Sequence, residues 1–197
     1  MLLKCKSIIL LIFGLFLFTT THTGFATEIP AIPANPVVDL AGIIDDAVET
    51  KINRYLRELE RKTTAQMAIL TVKSLEGQTI EEFSLAIAHD RWKLGQKGKD
   101  NGVLLVVAVN ARKYRIEIGY GLEGVLPDSL VGGIGRQYLV PNFKKGDYST
   151  GIYTATLVIA KKIASDAGVK ISGMPAVQKT YPVKKRKPAG GPFGKII

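Results

Sequence analysis

Cysteine is almost missing from this chain of 197 residues: the one copy, Cys5, precedes an apolar run and is not placed as a lipoprotein cysteine. If the N-terminal segment is removed, the rest has neither disulfide nor thiol chemistry, and its stability must come from packing. Histidine is nearly as scarce, with His22 in that same segment and His89 in a stretch of helical spacing. One histidine and no cysteine exclude zinc sites built from those ligands. No G-x-S-x-G occurs, so no serine nucleophile elbow is available to pair with His89, which reads as an ordinary helix residue. A phosphate-binding P-loop is missing too, because Gly98-Lys99-Asp100 has no glycine upstream at the right spacing and no Ser or Thr after the lysine. Internal repeats are absent. So is a basic folded surface with interleaved aromatics, despite a formal net charge of +10. All 17 acidic residues lie between Glu28 and Asp166, whereas Lys4, Lys6 and seven basic residues from Lys170 onward lie outside that span, which leaves it within about one charge of neutral. That distribution argues against a nucleic-acid partner.

What is present begins with a targeting pattern. Lys4 and Lys6 precede the apolar run Ile8 to Phe18, and a polar stretch leads to Gly24-Phe25-Ala26, small residues at the places a signal peptidase reads. Residues 1–26 are expected to be a cleaved export signal, with an uncleaved signal anchor as the alternative, and either one places the remainder as an exported, periplasmic or envelope-associated protein. Residues 27–36, with Pro30, Pro33 and Pro36, form an extended proline-rich leader. One folded domain follows over residues 37–168, and residues 169–197, rich in lysine, proline and glycine without periodicity, read as a basic disordered tail.

The stretch from Gly98 to Asp128 organises the domain. Val103 to Val109 is a continuous apolar run suited to a strand buried on both faces. Tyr114, Ile116 and Ile118 alternate with Arg115, Glu117 and Gly119, the period of a strand with one buried face. Asn110 to Lys113 joins the two as a hairpin. Upstream, Asp45 stands as N-cap of an amphipathic helix carrying Val48, Ile52, Tyr55, Leu56 and Leu59, and Ala65 to Val72 reads as a buried strand. Thr79 and Glu82 match a capping box for a helix running toward Trp92. Pro127-Asp128-Ser129 opens another helix, expected to stop at Pro141, whose Gly132, Gly133 and Gly135 suggest close packing on the sheet. Asp147 caps a last one over Tyr148 to Asp166. A parallel βαβ crossover extended by an antiparallel hairpin, with helices before and after, predicts a single α/β domain: a three-layer α/β/α sandwich around a small mixed sheet.

Oxygen chemistry is what the composition leaves open. Asp39, Asp100, Asn101, Glu117, Glu123 and Asp128 fall at strand ends and in glycine-rich turns rather than on solvated helix faces. Ca²⁺ takes about six to eight oxygens and Mg²⁺ about six, which a few carboxylates and backbone carbonyls can supply. The plainer reading makes Asp100-Asn101-Gly102 a turn, Asp128 a helix cap, and Glu117 the partner of Arg115 or Lys113. Gly119, Gly121 and Gly124 could form a nest of amides for a phosphate ester, with Lys99, Arg112 or Arg115 to offset charge, although no nucleotide fingerprint surrounds them.

Several segments taken together are more specific than any of these patterns. Val38-Asp39-Leu40-Ala41-Gly42, Trp92-Lys93-Leu94-Gly95, Lys97 through Leu105, Arg115 through Gly124, Pro127-Asp128 and Phe143 through Tyr148 occur in an order that resembles the TPM-domain family over about residues 36–165. The resemblance implies an α/β/α domain, exported or lumenal, of a kind found in bacterial envelope proteins and in thylakoid lumen proteins linked to photosystem II repair. It further implies a bound divalent cation, Ca²⁺ or Mg²⁺, held among Asp39, Asp100, Glu117 and Asp128 with Glu123 and Asn101 as neighbours. Two activities follow from it as alternatives: acid phosphatase action on phosphomonoesters with Asp100 and Glu117 as catalytic residues, or a non-catalytic assembly factor that binds an envelope or membrane protein complex through the glycine-rich loop. Many bacterial relatives continue into a transmembrane helix or a long glycine-rich tail. Here Lys184-Lys185-Arg186-Lys187 follows instead, suited to weak contact with anionic lipid or an acidic protein.

Overall fold

The computed structural model of the protein describes residues 29–175, so the expected signal segment (1–26) and the Lys184–Lys187 run lie outside the described residues. Its sheet has four strands in spatial order β1 (Val37–Asp39), β2 (Gln66–Val72), β3 (Gly102–Ala108) and β4 (Lys113–Ile118). β1, β2 and β3 run parallel, with Asp39 opposite Thr71 and Gln66 opposite Gly102, and β4 runs antiparallel to β3, with Ile118 opposite Val103. The expected mixed sheet is therefore present, with one strand more than the sequence showed. β1 is only three residues long and follows Pro36, so its Val37-Val38 pair carries too little periodicity to read as a strand.

Alternate side chains of β2 and β3 go to opposite faces, and every residue of β3 is buried. Met67, Ile69, Val103, Leu105 and Val107 join Ile52, Tyr55, Leu56 and Leu59 of α1 (Asp46–Thr63) and Ile152, Ala155, Ile159 and Ile163 of α5 (Tyr148–Asp166) in one core. Ala68, Leu70, Leu104 and Val106 point the other way and are equally buried. That face is covered by α2 (Ile80–Leu85), which lies on β3 and β4. Two helical layers thus sandwich the sheet, and burying each of the large aliphatic side chains is worth about 2 kcal/mol.

Local signals account for the helix starts. The Thr79 hydroxyl accepts from the Glu82 amide (3.2 Å) and the Glu82 carboxylate accepts from the Thr79 amide (3.2 Å), the reciprocal box the sequence predicts. The Asp147 carboxylate accepts from the Thr150 amide at 3.1 Å. Asp45 occupies the N-cap of α1, but its side chain makes no cap bond; its own N–H donates to Ser149 Oγ at 3.0 Å and so ties α1 to α5.

Two expectations about boundaries need correction. Pro141 does not end its helix: α3 (Asp128–Ile134) widens into a π-helical turn over Gly135–Leu139 and resumes as α4 (Val140–Phe143), with Pro141 in the first turn, where no N–H is needed. Among the three glycines there, Gly135 does pack closely, since any Cβ would collide with the Tyr114 ring and hydroxyl. The second correction concerns Val169 to Pro175, expected as the start of a disordered tail. Ile171 is buried and Val169 and Met174 pack on the core. Polar bonds hold the same segment to α1: Ser172 donates from N (3.0 Å) and Oγ (2.8 Å) to Glu58, Tyr55 Oη donates to the Gly173 carbonyl (2.7 Å), and Lys62 Nζ donates to the Lys170 carbonyl (2.7 Å). Its seven residues hold only three apolar side chains, Val169, Ile171 and Met174, among Lys, Ser, Gly and Pro, too few to carry a period, so the docking is tertiary information.

Candidate functional site

Sheet topology separates the expected ligands. Asp39 closes β1 at the level of Thr71, near the C-terminal ends of the parallel strands, whereas Asp100 and Asn101 precede β3 at the opposite end. Seven residues of strand rise lie between those levels, roughly 20 Å, so no single ion can take both.

At its end of the sheet Asp39 is fully engaged. Its Oδ1 accepts from the amides of Gly42 (3.1 Å) and Ile43 (3.2 Å) and from the Thr71 hydroxyl, and its Oδ2 accepts from the amide of Ile44 at 2.8 Å. Three successive amides form an anion-binding nest, and the anion in it is the chain's own carboxylate. Thr71 is fully buried and also accepts from the Ala41 amide at 3.1 Å, which completes the knot. A carboxylate already surrounded by donors is a fold-holding group, and its surroundings do not fit a cation.

At the other end, the turns before β3 and after β4 are pressed together backbone to backbone. The Gly119 amide donates to the Gly102 carbonyl (2.8 Å) and the Gly121 amide to the Asp100 carbonyl (3.1 Å). A Cβ on Gly119 would overlap the Asp100 carbonyl, and one on Gly121 the Lys99 carbonyl. Close approach does require these glycines, as their density predicts, but the surface approached is the Lys99–Asp100 turn. Gly124 has nothing near the place a Cβ would take. Asn101 is buried and wires the turn: its Oδ1 accepts from the Gln96 amide (2.8 Å) and its Nδ2 donates to Thr64 Oγ1 (3.2 Å). Asp100 itself has φ 47°, a left-handed conformation that aspartate tolerates, and stands exposed. Between the two pinned glycines the single turn Tyr120–Leu122 buries Leu122 and leaves Tyr120 79% exposed.

Glu117 lies on the face of β4 turned toward α2. Arg115 Nε donates to its Oε2 at 2.9 Å, and Ser84 Oγ, fully buried on α2, donates to the same oxygen at 3.1 Å. The Glu117 bond holds the Arg115 guanidinium above its ordinary pKa, burial opposes this, and the charges of Glu117, Glu81 and Asp128 add to the elevation. The cation among these three acids is thus a side chain of the protein. On the opposite face of β4, burial raises the Tyr114 phenol, with Arg136 acting against it. Glu123 and Asp128 are exposed, and Asp128 occupies the first turn of α3.

Among the described residues, no three His, Cys, Asp or Glu side chains are grouped as a metal site. The six expected ligands therefore divide into a knot (Asp39), a loop pin (Asn101), an ion pair (Glu117) and three exposed acids (Asp100, Glu123, Asp128). Sequence reasoning missed Ser84 and Glu81, whose helix was read only from its capping box, and Tyr120, although an aromatic between two glycines was a signal available to it.

Fold and site together define a small mixed-sheet α/β/α domain with a pinned glycine turn at one end of the sheet. The TPM domain model (TPM_phosphatase) matches residues 37–162, and the chain belongs to that family. Among solved structures it is similar to the N-terminal domain of a protein from P. gingivalis, at 32% identity over 68% of this chain and 85% of that one, with a TM-score of 0.63. It is also similar in fold to the BA42 protein of Bizionia argentinensis (20% identity, 62% and 82% coverage, TM-score 0.53). The N-terminal domain of the cg2496 protein of Corynebacterium glutamicum is a further neighbour in fold (15% identity, 78% and 95% coverage, TM-score 0.51). No match was found among curated proteins.

Proposed function

We propose that this chain is an exported, non-catalytic TPM domain that recognises a protein partner of the cell envelope through its glycine-rich turn. The observation that carries this reading is Tyr120: a large aromatic side chain, 79% exposed, on a turn whose flanking glycines are locked against the Lys99–Asp100 backbone. An aromatic anchor that is rigid before binding loses little entropy on association, the property of an interface hot spot. Exposed Asp100, Glu123 and Asp128 on the neighbouring turns supply an acidic rim.

The family model's label favours a second reading, hydrolysis of phosphomonoesters with Ca²⁺ or Mg²⁺ bound near Asp100 and Glu117. Arg115 among its acids would then be the group able to offset phosphoryl charge. Against this reading, the Glu117 carboxylate is already engaged by Arg115 and Ser84.

A photo-crosslinking residue placed at position 120 in cells tests the first reading, with positions 85 and 124 as controls; a discrete protein adduct confined to position 120 is the expected result. Adducts equally frequent at all three positions would remove the turn as the recognition element. Calorimetry with Ca²⁺ and Mg²⁺, and turnover of a generic phosphomonoester by the chain from Thr27 onward, address the second. Metal-dependent turnover lost in Asp100→Ala would replace recognition by catalysis. Export is read from the mature N-terminus, expected at Thr27; an intact Met1 on envelope-extracted protein rules out cleavage after Ala26.

A further inference from the structure

The folded part is nearly neutral, yet its charge is unevenly spread, and α1 carries the positive side. Arg54, Arg57 and Arg61 are exposed and, at 100° per residue, fall within about 60° of one another around the helix. Lys51 and Lys62, also exposed, extend the same sector. Of the acids on the same helix only Glu58 is paired with a cation, whereas Glu49 and Glu60 keep their charge and accept from neutral amides. Glu58 accepts from Lys62 (2.7 Å) and from Ser172, Glu49 accepts from Asn53 (3.4 Å), and Glu60 accepts from Gln66 (2.7 Å). The arginines line a groove of about 560 Å³ together with Asn35, Thr50, Asn53 and the carboxylates of Glu49 and Glu58.

Two further segments arrive at this helix. The leader is held to it by Arg57, which donates to Asn35 Oδ1, and three residues upstream Ile32 stands 85% exposed. From the other direction the 169–175 strap crosses α1 at Tyr55, Glu58 and Lys62. A row of exposed arginines, together with an unburied aliphatic side chain on the leader that Arg57 holds, is what an anionic lipid surface binds.

We infer that the exposed face of α1 is a docking surface for the anionic headgroups of a bilayer, with Arg54, Arg57 and Arg61 as its contacts and Ile32 as an apolar insertion. This places the membrane at a folded helix and does not require the lysine-rich segment past residue 175.

The test is co-sedimentation with vesicles of phosphatidylglycerol and phosphatidylcholine, using the chain from Thr27, which contains the whole compact unit beginning at Ala31. Wild type should pellet with mixed vesicles at low salt, stay in solution with pure phosphatidylcholine, and be released near 1 M salt, where the screening length falls to about 3 Å. Removing arginines should weaken binding about fivefold for each, so Arg54→Ala, Arg57→Ala and Arg61→Ala combined lose about a hundredfold. Ile32→Ser should weaken it by a smaller factor. The triple variant is checked by circular dichroism; should it fail to fold, Arg61→Gln alone, whose side chain holds no structural bond here, carries the measurement. Replacing Lys184, Lys185, Arg186 and Lys187 by Gln while leaving α1 intact separates the helix from the tail. The inference is overturned if the tail variant loses binding and the α1 variants do not, if binding is equal on neutral vesicles, or if only a soluble polyanion such as heparin is bound.

Discussion

The two ends of the sheet were both candidates for chemistry, and they are built on opposite principles. At the Asp39 end a side chain organises backbone: one carboxylate collects three amides and a hydroxyl, and nothing projects. At the Gly119 end backbone organises backbone: two turns are apposed through positions with no side chain, and the residue between them, Tyr120, is left facing solvent. A charged residue at a strand end is thus no sign of a site by itself, because charge can be consumed by the fold. The turn without charge at its centre is the one that leaves a large aromatic side chain facing solvent.

Four measurements can break this comparison, and the largest effect is expected from glycine. Gly121→Ala drives a methyl into the Lys99 carbonyl and should lower stability by about 3 kcal/mol or more in urea unfolding, whereas Gly124→Ala, in open space, should stay within about 0.5 kcal/mol. Equal losses at the two positions would show that the turns are not locked. Asp39→Ala strands three amides and Thr71, at a cost of about 2–4 kcal/mol. Millimolar Ca²⁺ should stabilise wild type and this variant alike; a stabilisation present in wild type and missing in the variant would make Asp39 a ligand after all.

Next comes the strap. Glu58 is held down to about pKa 2, first by its hydrogen bond to Lys62 and then by those to Ser172. A carboxyl depressed on folding contributes stability above its unfolded value of about 4.3 and loses that contribution as pH falls toward 2. Amide protection in residues 169–175, taken relative to the intrinsic exchange rate, should therefore fall between about pH 4.5 and 2 in wild type, while in Glu58→Gln it should be low already at neutral pH. Identical exchange in the two proteins would remove the clamp. The smallest effect on stability belongs to Tyr120→Ser, within about 0.5 kcal/mol, together with loss, in a pull-down, of the protein identified by the position-120 adduct. A large destabilisation would mean the ring packs on the domain rather than standing free.

Much of the fold was legible because it is written in local codes. The Thr79–Glu82 box, the Asp147 cap and the apolar run of β3 each act over a few residues, and each appears where the sequence placed it. β1 escaped because three residues after a proline carry no period, and the helix through Pro141 because a π turn moved the proline to a position that needs no donor. The site was less legible for a related reason. Asp39, Asn101 and Glu117 look alike in sequence as polar residues at strand ends, and what distinguishes them is the partners that surround them: Thr71, Thr64 and Ser84 come from separate elements, and only folding supplies those encounters.

The clamp between Glu58 and Ser172 joins residues 114 positions apart. For a chain made N-terminus first, α1 is available long before its cover. During that interval Tyr55 and Glu58 lack the groups that later seal them, and the helix is exposed to any chaperone at hand. Closure of the strap is therefore a late event in biogenesis, and arrival of residue 172 marks the earliest moment at which this domain can be finished.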